Sequence, residues 1–227
     1  MGAAWTAGVQ MDDKPLEVPS KSALRASQDT GEHDWERLLE LHALDFEWYF
    51  SLESSHKLAD MCVGRDSILL LGVPTVAQTL SMVGRRDVTL VDSSPTLAYR
   101  LPEVAALDRY FQTDVGIFDA RDYDTVLLDP PWYLRDTLHW IKRAACALRP
   151  GGQLQFVLFP DDIRPNARVE RHTILEYARR LGVVQVAPSL LWYQTPTFER
   201  CAMSASGIPV DLSWRRGGWR LSADSRL

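Results

Sequence analysis

Short apolar runs alternate with segments of helical periodicity through most of the chain, and this alternation limits the folds that the sequence can adopt. The strand-like runs lie at 67–71, 87–91, 110–111, 124–128 and 153–159, and the helical segments lie at 75–83, 96–107, 136–148 and 168–181. A strand that is apolar at consecutive positions is buried on both faces. Strands that alternate with helices form a parallel sheet covered on both sides, so the sequence predicts an α/β fold.

The two ends of the chain depart from this alternation. Residues 1–32 mix small, polar and charged residues without a period, which is typical of a flexible tail. Residues 33–63 combine a broad apolar face with acidic residues, which predicts N-terminal helices, the second of them capped by Ser51. We predict one domain over 33–227, with its core at 64–204 and a C-terminal hairpin at 205–227 that turns at Gly217-Gly218. Strand-like segments in the C-terminal part lie at 183–186, 190–193, 198–203, 212–214 and 219–221.

The composition suits a single globular domain that does not associate with membranes. The chain has 227 residues, 46% of them hydrophobic, and a net charge of −5, which disfavours a large basic surface but permits a local basic patch. No apolar run approaches the roughly 20 residues of a membrane span, and the N-terminus lacks a secretory-signal pattern. Cys62, Cys146 and Cys201 are far apart, which argues against a disulfide framework or a metal site. We therefore expect a cytoplasmic protein without a metal ion.

Three sequence features follow the ends of predicted strands, where the ligands of open parallel sheets bind: Leu71-Gly72-Val73-Pro74, Val91-Asp92 and Leu128-Asp129-Pro130-Pro131-Trp132. Asp92 follows Gly72 by about 20 residues, the usual offset of a carboxylate that accepts hydrogen bonds from ribose hydroxyls. The first loop has a single glycine and then a proline, whereas a pyrophosphate needs several glycines for close backbone approach. The pattern favours a nucleoside cofactor without phosphates over NAD or FAD.

The segment Asp129-Pro130-Pro131-Trp132 has the groups that methylation of an amine requires. An exocyclic amine must lose conjugation with its ring before it attacks a sulfonium methyl, and acceptors for its hydrogens promote this change. The Asp129 carboxylate and the Pro130 carbonyl can be those acceptors, and consecutive prolines hold the carbonyl rigidly. Trp132 offers a flat face for a planar base or an alkyl amine. The segment therefore predicts transfer of a methyl group to an amino nitrogen.

These residues resemble the class I S-adenosylmethionine-dependent methyltransferases, together with the later Leu148-Arg149-Pro150-Gly151-Gly152. More narrowly, the chain resembles a group named after N6-adenine methylation for its Asp-Pro-Pro-aromatic motif. That group includes a eukaryotic elongation-factor lysine methyltransferase and a ribosomal-RNA adenine methyltransferase. The shared detail is Gly72-Val73-Pro74 followed by a helix, in place of a glycine-rich loop. The aromatic stretch Glu47-Trp48-Tyr49-Phe50-Ser51 is also similar, and the likeness covers about 45–203.

The resemblance implies a Rossmann-like fold with a mostly parallel seven-stranded sheet, an antiparallel last strand and additional N-terminal helices. It implies S-adenosyl-L-methionine as the cofactor, with Gly72 and Pro74 beside its methionine part, Asp92 at its ribose and Asp114 near its adenine. Phe50, Val73 and Ser93 complete the predicted cofactor-binding residues. The catalytic residues that it implies are Asp129, Pro130, Pro131 and Trp132, and the substrate-binding residues are Trp132 and Tyr133.

The acceptor stays open between adenine N6 in DNA or RNA and a lysine in a protein. The acidic balance leans towards a protein or small substrate, whereas Trp132 suits the stacking of a base. A catalytically silent scaffold within a protein complex is the alternative, because the cofactor loop has few glycines; the intact Asp-Pro-Pro-Trp counts against it. The segment 193–199 follows a predicted strand, and it either lines the substrate mouth or packs on the sheet.

Overall fold

A computed structural model describes residues 48–161, 163–187, 191–194, 201–202, 204–206, 214–217 and 220–224. The helices are α1 (Leu52–Asp60), α2 (Pro74–Met82), α3 (Leu97–Arg100), α4 (Pro102–Ala105), α5 (Leu134–Ala147) and α6 (Ala167–Leu181). The strands are β1 (Ile68–Leu71), β2 (Thr89–Asp92), β3 (Arg109–Gln112), β4 (Tyr123–Leu128), β5 (Leu148–Val157), β6 (Val183–Ala187), β7 (Leu191–Gln194), β8 (Trp214–Gly217) and β9 (Arg220–Asp224). The predicted tail and the helical segment before residue 48 lie outside the described residues.

The main sheet has the strand order β3-β2-β1-β4-β5-β9-β6. The first five strands in this order are parallel to one another, which confirms the parallel sheet predicted from the alternating pattern. β9 is antiparallel to both β5 and β6. The strand order reverses beside β1, because the chain moves outward from β1 to β3 and then crosses to β4 on the other side. A ligand crevice is expected at this reversal.

Side chains of β1 alternate between two apolar layers, and this alternation explains why the whole strand is buried. Ile68 and Leu70 belong to a cluster that includes residues of α1 and α2, whereas Leu69 and Leu71 belong to a cluster that includes residues of α5 and α6. Successive side chains of a strand point to opposite faces, so a strand between two helical layers needs apolar residues at every position. The central strands are held firmly, and their ends are rigid supports for a site.

A second, two-stranded sheet of β7 and β8 lies beside the start of α1. Phe50 pairs with Tyr193 in an isolated antiparallel bridge, Ser51 N donates to Trp192 O at 2.8 Å, and Gln194 N donates to Tyr49 O at 2.8 Å. Ser51 is also the N-cap of α1, as predicted, and its side chain accepts a hydrogen bond from Ser54 N. The segment before α1 and β7 therefore form one hydrogen-bonded unit.

Three expectations about the secondary structure need correction. The single helix predicted at 96–107 is two short helices, since Leu101, with φ −119° and ψ 81°, lies outside the helical region and Pro102 begins α4. Within the strand-like segment 198–203, Cys201 and Ala202 are helical, and the other residues lie outside the described part. The hairpin predicted at 205–227 does not form between β8 and β9: β8 pairs with β7, whereas β9 enters the main sheet. Gly218 of the predicted turn is also outside the described part.

None of the described helices is long and apolar enough to cross a membrane.

Candidate active site

A cavity of about 660 Å³ opens at the carboxyl ends of β1, β2 and β4. This volume falls within the roughly 300–1,000 Å³ that is typical of small-molecule sites. The residues that line it come from three strand-end loops, from the segment before α1, from α5, from the loop before α6 and from β7: Trp48, Tyr49, Gly72, Pro74, Asp92, Ser93, Asp129, Pro130, Pro131, Trp132, Tyr133, Trp140, Ile163 and Tyr193. Most of the predicted site residues thus meet in one place.

The loop after β1 depends on Gly72. Its φ is +63°, and a Cβ atom at this position would lie 2.9 Å from Cζ3 of Trp140 and 3.3 Å from the carbonyl oxygen of Asp129. Any side chain would therefore strain the backbone and collide with the α5 indole ring. Pro74 occupies the start of α2, where it removes one backbone N–H from the helix N-terminus. The loop is compact and closely covered by α5, and it brings the backbone of β1 against that of β4.

The end of β2 is organised by its own following turn. The Asp92 Oδ1 atom accepts a hydrogen bond from Ser94 N at 2.9 Å, an interaction between residues only two positions apart. Asp92 and Ser93 both line the cavity. This local bond fixes the Asp92 carboxylate beside the reversal point of the sheet, where a ligand's hydroxyl groups can donate to it.

The loop after β4 is braced at both ends. Asp129 N donates to Leu71 O at 3.2 Å, which extends the β1–β4 pairing by one residue. The Pro131 carbonyl accepts hydrogen bonds from Tyr133 N at 2.8 Å and from the Thr137 hydroxyl at 2.9 Å. Within the described part of the chain, the Pro130 carbonyl has no such donor. Of the two proline carbonyls, that of Pro130 therefore keeps its acceptor capacity for a ligand.

The Asp129 carboxylate has an unusual environment. The Tyr193 hydroxyl lies 2.8 Å from Oδ1 and 2.8 Å from Oδ2. Burial raises the pKa of Asp129 to about 7, and the hydrogen bond from Tyr193 opposes this rise. Burial also raises the pKa of Tyr193, and the neighbouring Asp129 charge raises it further. A carboxylate with a pKa near neutrality can accept and release protons under physiological conditions.

Aromatic rings surround the contact between Asp129 and Tyr193. The Phe50 ring stacks on the Tyr193 ring with centroids 4.6 Å apart, and the rings of Trp132 and Trp48 meet it edge-on at 5.6 and 6.4 Å. The Trp132 side chain partly opposes the rise in the Tyr193 pKa. These rings keep bulk water from the Asp129–Tyr193 contact and leave flat apolar walls for an acceptor.

Tyr133 and Ile163 form the mouth of the cavity. Their side chains are 68% and 45% exposed although both residues line the cavity. The Arg164 guanidinium lies 5.8 Å from the centre of the Tyr133 ring and pairs with Glu170. This edge of the cavity therefore carries an exposed aromatic ring with a cation beside it.

Three residues predicted to bind the cofactor do not line the cavity. Phe50 and Val73 are buried in the apolar cluster behind it, at 2% and 0% exposure. Asp114 closes its own turn, since its Oδ1 accepts from Gly116 N at 2.6 Å. Their cofactor contacts remain predictions. The described residues contain no cluster of metal-ligating side chains.

The sequence interpretation did not anticipate the cavity-lining positions of Trp48, Tyr49 and Trp140. Tyr193 was the first residue of the segment for which two placements stayed open; the structure places it in β7, whereas 195–199 lie outside the described part. A tryptophan in the periodic pattern of α5 gives no sign that it covers Gly72. The sequence signal for Trp48 and Tyr49 is the run of aromatic residues at 48–50, which is interpreted only as part of the resemblance to the methyltransferases.

Solved structures share this fold at low sequence identity. The C9 mutein of the branched-chain polyamine synthase from Thermus thermophilus has a TM-score of 0.66 at 14% identity, over 92% of this chain and 65% of that chain. An S-adenosylmethionine-dependent O-methyltransferase from Thermotoga maritima has a TM-score of 0.52 at 17% identity, over 87% and 72%. A candidate RNA methyltransferase from Pyrococcus horikoshii has 0.52 at 13% identity, over 85% and 96%. The chain thus spans about two thirds of the synthase and most of the two methyltransferases.

These similarities define a Rossmann-like α/β methyltransferase fold, which the polyamine synthase also has. No protein-family model matches the sequence, and no curated protein matches it either.

Proposed function

We propose that the protein is an S-adenosylmethionine-dependent methyltransferase that acts on an amino nitrogen. The observation that carries the proposal is the meeting of Asp92 and the Asp129–Trp132 loop in one cavity at the strand-order reversal. In this arrangement, one carboxylate is available to hold a nucleoside, and a second carboxylate, two strands away, is available for the group that reacts.

The residues around the β1 and β2 ends suit a nucleoside that carries no phosphate. Gly72 provides close backbone approach at one point only, and Pro74 deprives the α2 N-terminus of one donor. A pyrophosphate would need more backbone donors than this loop provides. Asp92 and Ser93 would hold the ribose, and Gly72 and Pro74 would border the methionine part. When bound, the cofactor supplies an activated methyl group on a sulfonium centre.

Asp129 and Pro130 would orient the acceptor amine. The Asp129 carboxylate can take one amine hydrogen in a hydrogen bond, and the Pro130 carbonyl can take the other. Both interactions strengthen as positive charge develops on nitrogen, so they stabilise the transition state more than the ground state. With its pKa near 7, Asp129 can also accept the proton that the amine must finally lose.

Adenine N6 and a lysine amino group both remain candidates for the acceptor. The edge-on Trp132 ring and the exposed Tyr133 ring at the mouth suit the stacking of a base. The same rings and the Asp129 carboxylate suit an alkyl ammonium group, which interacts favourably with aromatic faces. The catalytically silent scaffold is less well supported, because buried carboxyl groups with strongly raised pKa values that line a cavity are typical of catalytic sites.

Aminopropyl transfer is a second candidate function. It is favoured by the similarity to the Thermus thermophilus synthase, whose structure contains N4-aminopropylspermidine and 5′-methylthioadenosine. In both reactions an amine attacks a carbon bonded to a sulfonium sulfur, so the same acceptor groups on this chain would serve. The two functions differ in the donor, which for aminopropyl transfer is decarboxylated S-adenosylmethionine.

The decisive experiment combines donor binding with transfer to a panel of acceptors. Calorimetry with S-adenosylhomocysteine and with 5′-methylthioadenosine measures which product nucleoside binds. Transfer is then measured with each donor on DNA, RNA, unfolded protein and free polyamines. We expect binding of S-adenosylhomocysteine and methyl transfer to one of the amine-bearing acceptors. Transfer only from the decarboxylated donor would establish the second candidate. Absence of nucleoside binding at millimolar concentration would refute both.

A further inference from the structure

The contact between Tyr193 and Asp129 constrains the orientation of the carboxylate. The hydroxyl oxygen is equally distant, at 2.8 Å, from the two carboxylate oxygens. Rotation of the carboxylate about its bond to Cβ would move one oxygen away from the hydroxyl group and weaken the shared bond. Each carboxylate oxygen has lone pairs for more than one hydrogen bond, so both keep acceptor capacity on the cavity side.

Tyr193 is itself fixed from several directions. Its ring stacks on Phe50 and meets the Trp132 ring edge-on, and the residue is 3% exposed. The backbone on either side is paired with the segment before α1, through Trp192 O and Gln194 N. The donor to Asp129 is therefore preorganised, and water has little access to replace it.

We propose that Tyr193 is the positioning residue of this site, which aims the Asp129 carboxylate at the acceptor amine and favours its ionised form. The inference rests on the proposed function for the identity of the reaction. The Tyr193 hydroxyl donates to the carboxylate and polarises it, while the Trp132 ring packs edge-on against the Tyr193 ring. Tyr193 acts through Asp129 and needs no contact with the methyl group.

The electrostatic balance at Asp129 explains why such a donor is needed. Burial pushes the pKa of Asp129 upward, and the Tyr193 hydrogen bond is the interaction that lowers it. The other titratable groups that line the cavity are Asp92 on β2, Tyr49 before α1 and Tyr133 after β4. Asp92 is an acid and cannot favour a second negative charge nearby. Without Tyr193, a larger fraction of Asp129 is protonated at neutral pH, and that fraction loses acceptor capacity towards the amine.

Tyr193→Phe tests the proposal, because it removes one hydroxyl group and keeps the ring. Loss of a hydrogen bond to a charged group should raise the pKa of Asp129 by about one to two pH units. The ionised fraction at pH 7, and with it kcat, should then fall about five- to fifty-fold. The acidic limb of the pH profile of kcat should move to higher pH, and kcat should recover in alkaline buffer. The affinity for S-adenosylhomocysteine should stay within about two-fold of the wild-type value.

Tyr123→Phe is the matched control. Tyr123 is also a buried tyrosine, and its hydroxyl donates one hydrogen bond, at 3.0 Å to the Thr89 hydroxyl in the sheet. The same chemical change there should lower the stability without moving the acidic limb. Thermal unfolding of both variants measures the stability lost with a buried tyrosine hydroxyl group, and so separates that loss from the effect on the Asp129 pKa.

A titration of the Asp129 carboxyl carbon by NMR, in protein labelled with ¹³C-aspartate, makes the test independent of catalysis. Asp129→Asn identifies the signal by its disappearance. A higher midpoint in Tyr193→Phe than in wild type and Tyr123→Phe supports the proposal. Equal titration midpoints in Tyr193→Phe and wild type would overturn the proposal. A pH profile of kcat that is lower at every pH but not shifted would also overturn it. If no substrate is ever methylated, the proposed function fails while the titration still decides whether Tyr193 controls Asp129.

Discussion

The ends of β2 and β4 each carry a carboxylate that lines the same cavity, but the two side chains are held in different ways. Asp92 is fixed by the backbone of its own turn, two residues further along the chain. Asp129 is fixed by Tyr193, 64 positions away, on a strand of another sheet. A carboxylate that binds donor hydroxyls needs only a stable local turn. A carboxylate that must change its interactions during a reaction benefits from a partner that sets its charge and its plane.

The strongest test of this difference is Asp129→Ala. We expect methyl transfer to fall by about 10² to 10³, as in the removal of other groups that act mainly in the transition state. The affinity for the donor should remain close to that of wild type, because Asp92 and the Gly72 loop are untouched. Single-turnover methylation combined with cofactor titration measures both quantities. Full activity of Asp129→Ala would remove the basis for assigning different tasks to the two strand ends.

The pH dependence of folding stability should also distinguish the two ends. The pKa of Asp129 is about 7 in the folded protein, against an ordinary value of 3.8 for an aspartate carboxyl group. A raised pKa means that the folded state binds the proton more tightly, so this residue favours folding below pH 4 and loses that contribution as the pH rises to 7. Asp129→Asn, which stays neutral, should therefore be more stable than wild type at pH 7, by about 1–3 kcal/mol.

Denaturant unfolding of Asp129→Asn and wild type at several pH values checks this expectation. The difference in the free energy of unfolding should be small at pH 4, should grow as the pH rises through 7, and should level off at higher pH. The same pair of measurements on Asp92→Asn is the control. A difference for Asp129→Asn that does not depend on pH would contradict the raised pKa.

Asp92→Ala should act on the donor instead. Loss of hydrogen bonds to the ribose should weaken S-adenosylhomocysteine binding by about 1–3 kcal/mol. The rate at saturating donor should change much less than the affinity, which is the reverse of the pattern expected for Asp129→Ala. Calorimetry and a donor saturation curve provide the two values. An unchanged affinity would mean that the nucleoside binds elsewhere.

Asp114→Ala extends the comparison to the third strand end and should have the smallest effect. Because its carboxylate closes a turn with Gly116 N and does not line the cavity, we expect less than about a three-fold loss of donor affinity. The lost turn bond should lower the stability by about 0.5–1.5 kcal/mol. An affinity loss as large as that of Asp92→Ala would instead support the adenine contact that the resemblance implies.

The same contrast between local and distant interactions explains what could be predicted from the sequence. The parallel strands and the position of Asp129 follow from short-range patterns, because a buried strand and its terminal polar residue are adjacent in sequence. The break at Leu101 is also a local signal, since Pro102 follows it and disfavours a helical backbone at the preceding residue. The partners of Tyr193 and Trp140 are distant in sequence, and no periodicity encodes such pairs. The sheets that β8 and β9 join are likewise decided by long-range pairing.

The hydrogen bonds between the start of α1 and β7 have a consequence for the timing of biosynthesis. The strand ends proposed to bind the donor lie between residues 68 and 92, so their part of the sheet can begin to form before β7 has been synthesised. The Tyr193 hydroxyl reaches Asp129 only after the chain has returned to residues 49–51, and closing so long a loop slows folding. A nascent chain can thus form the β1 and β2 side of the cavity before it forms the contact between Tyr193 and Asp129. The cavity is complete only once the chain has been synthesised through β7.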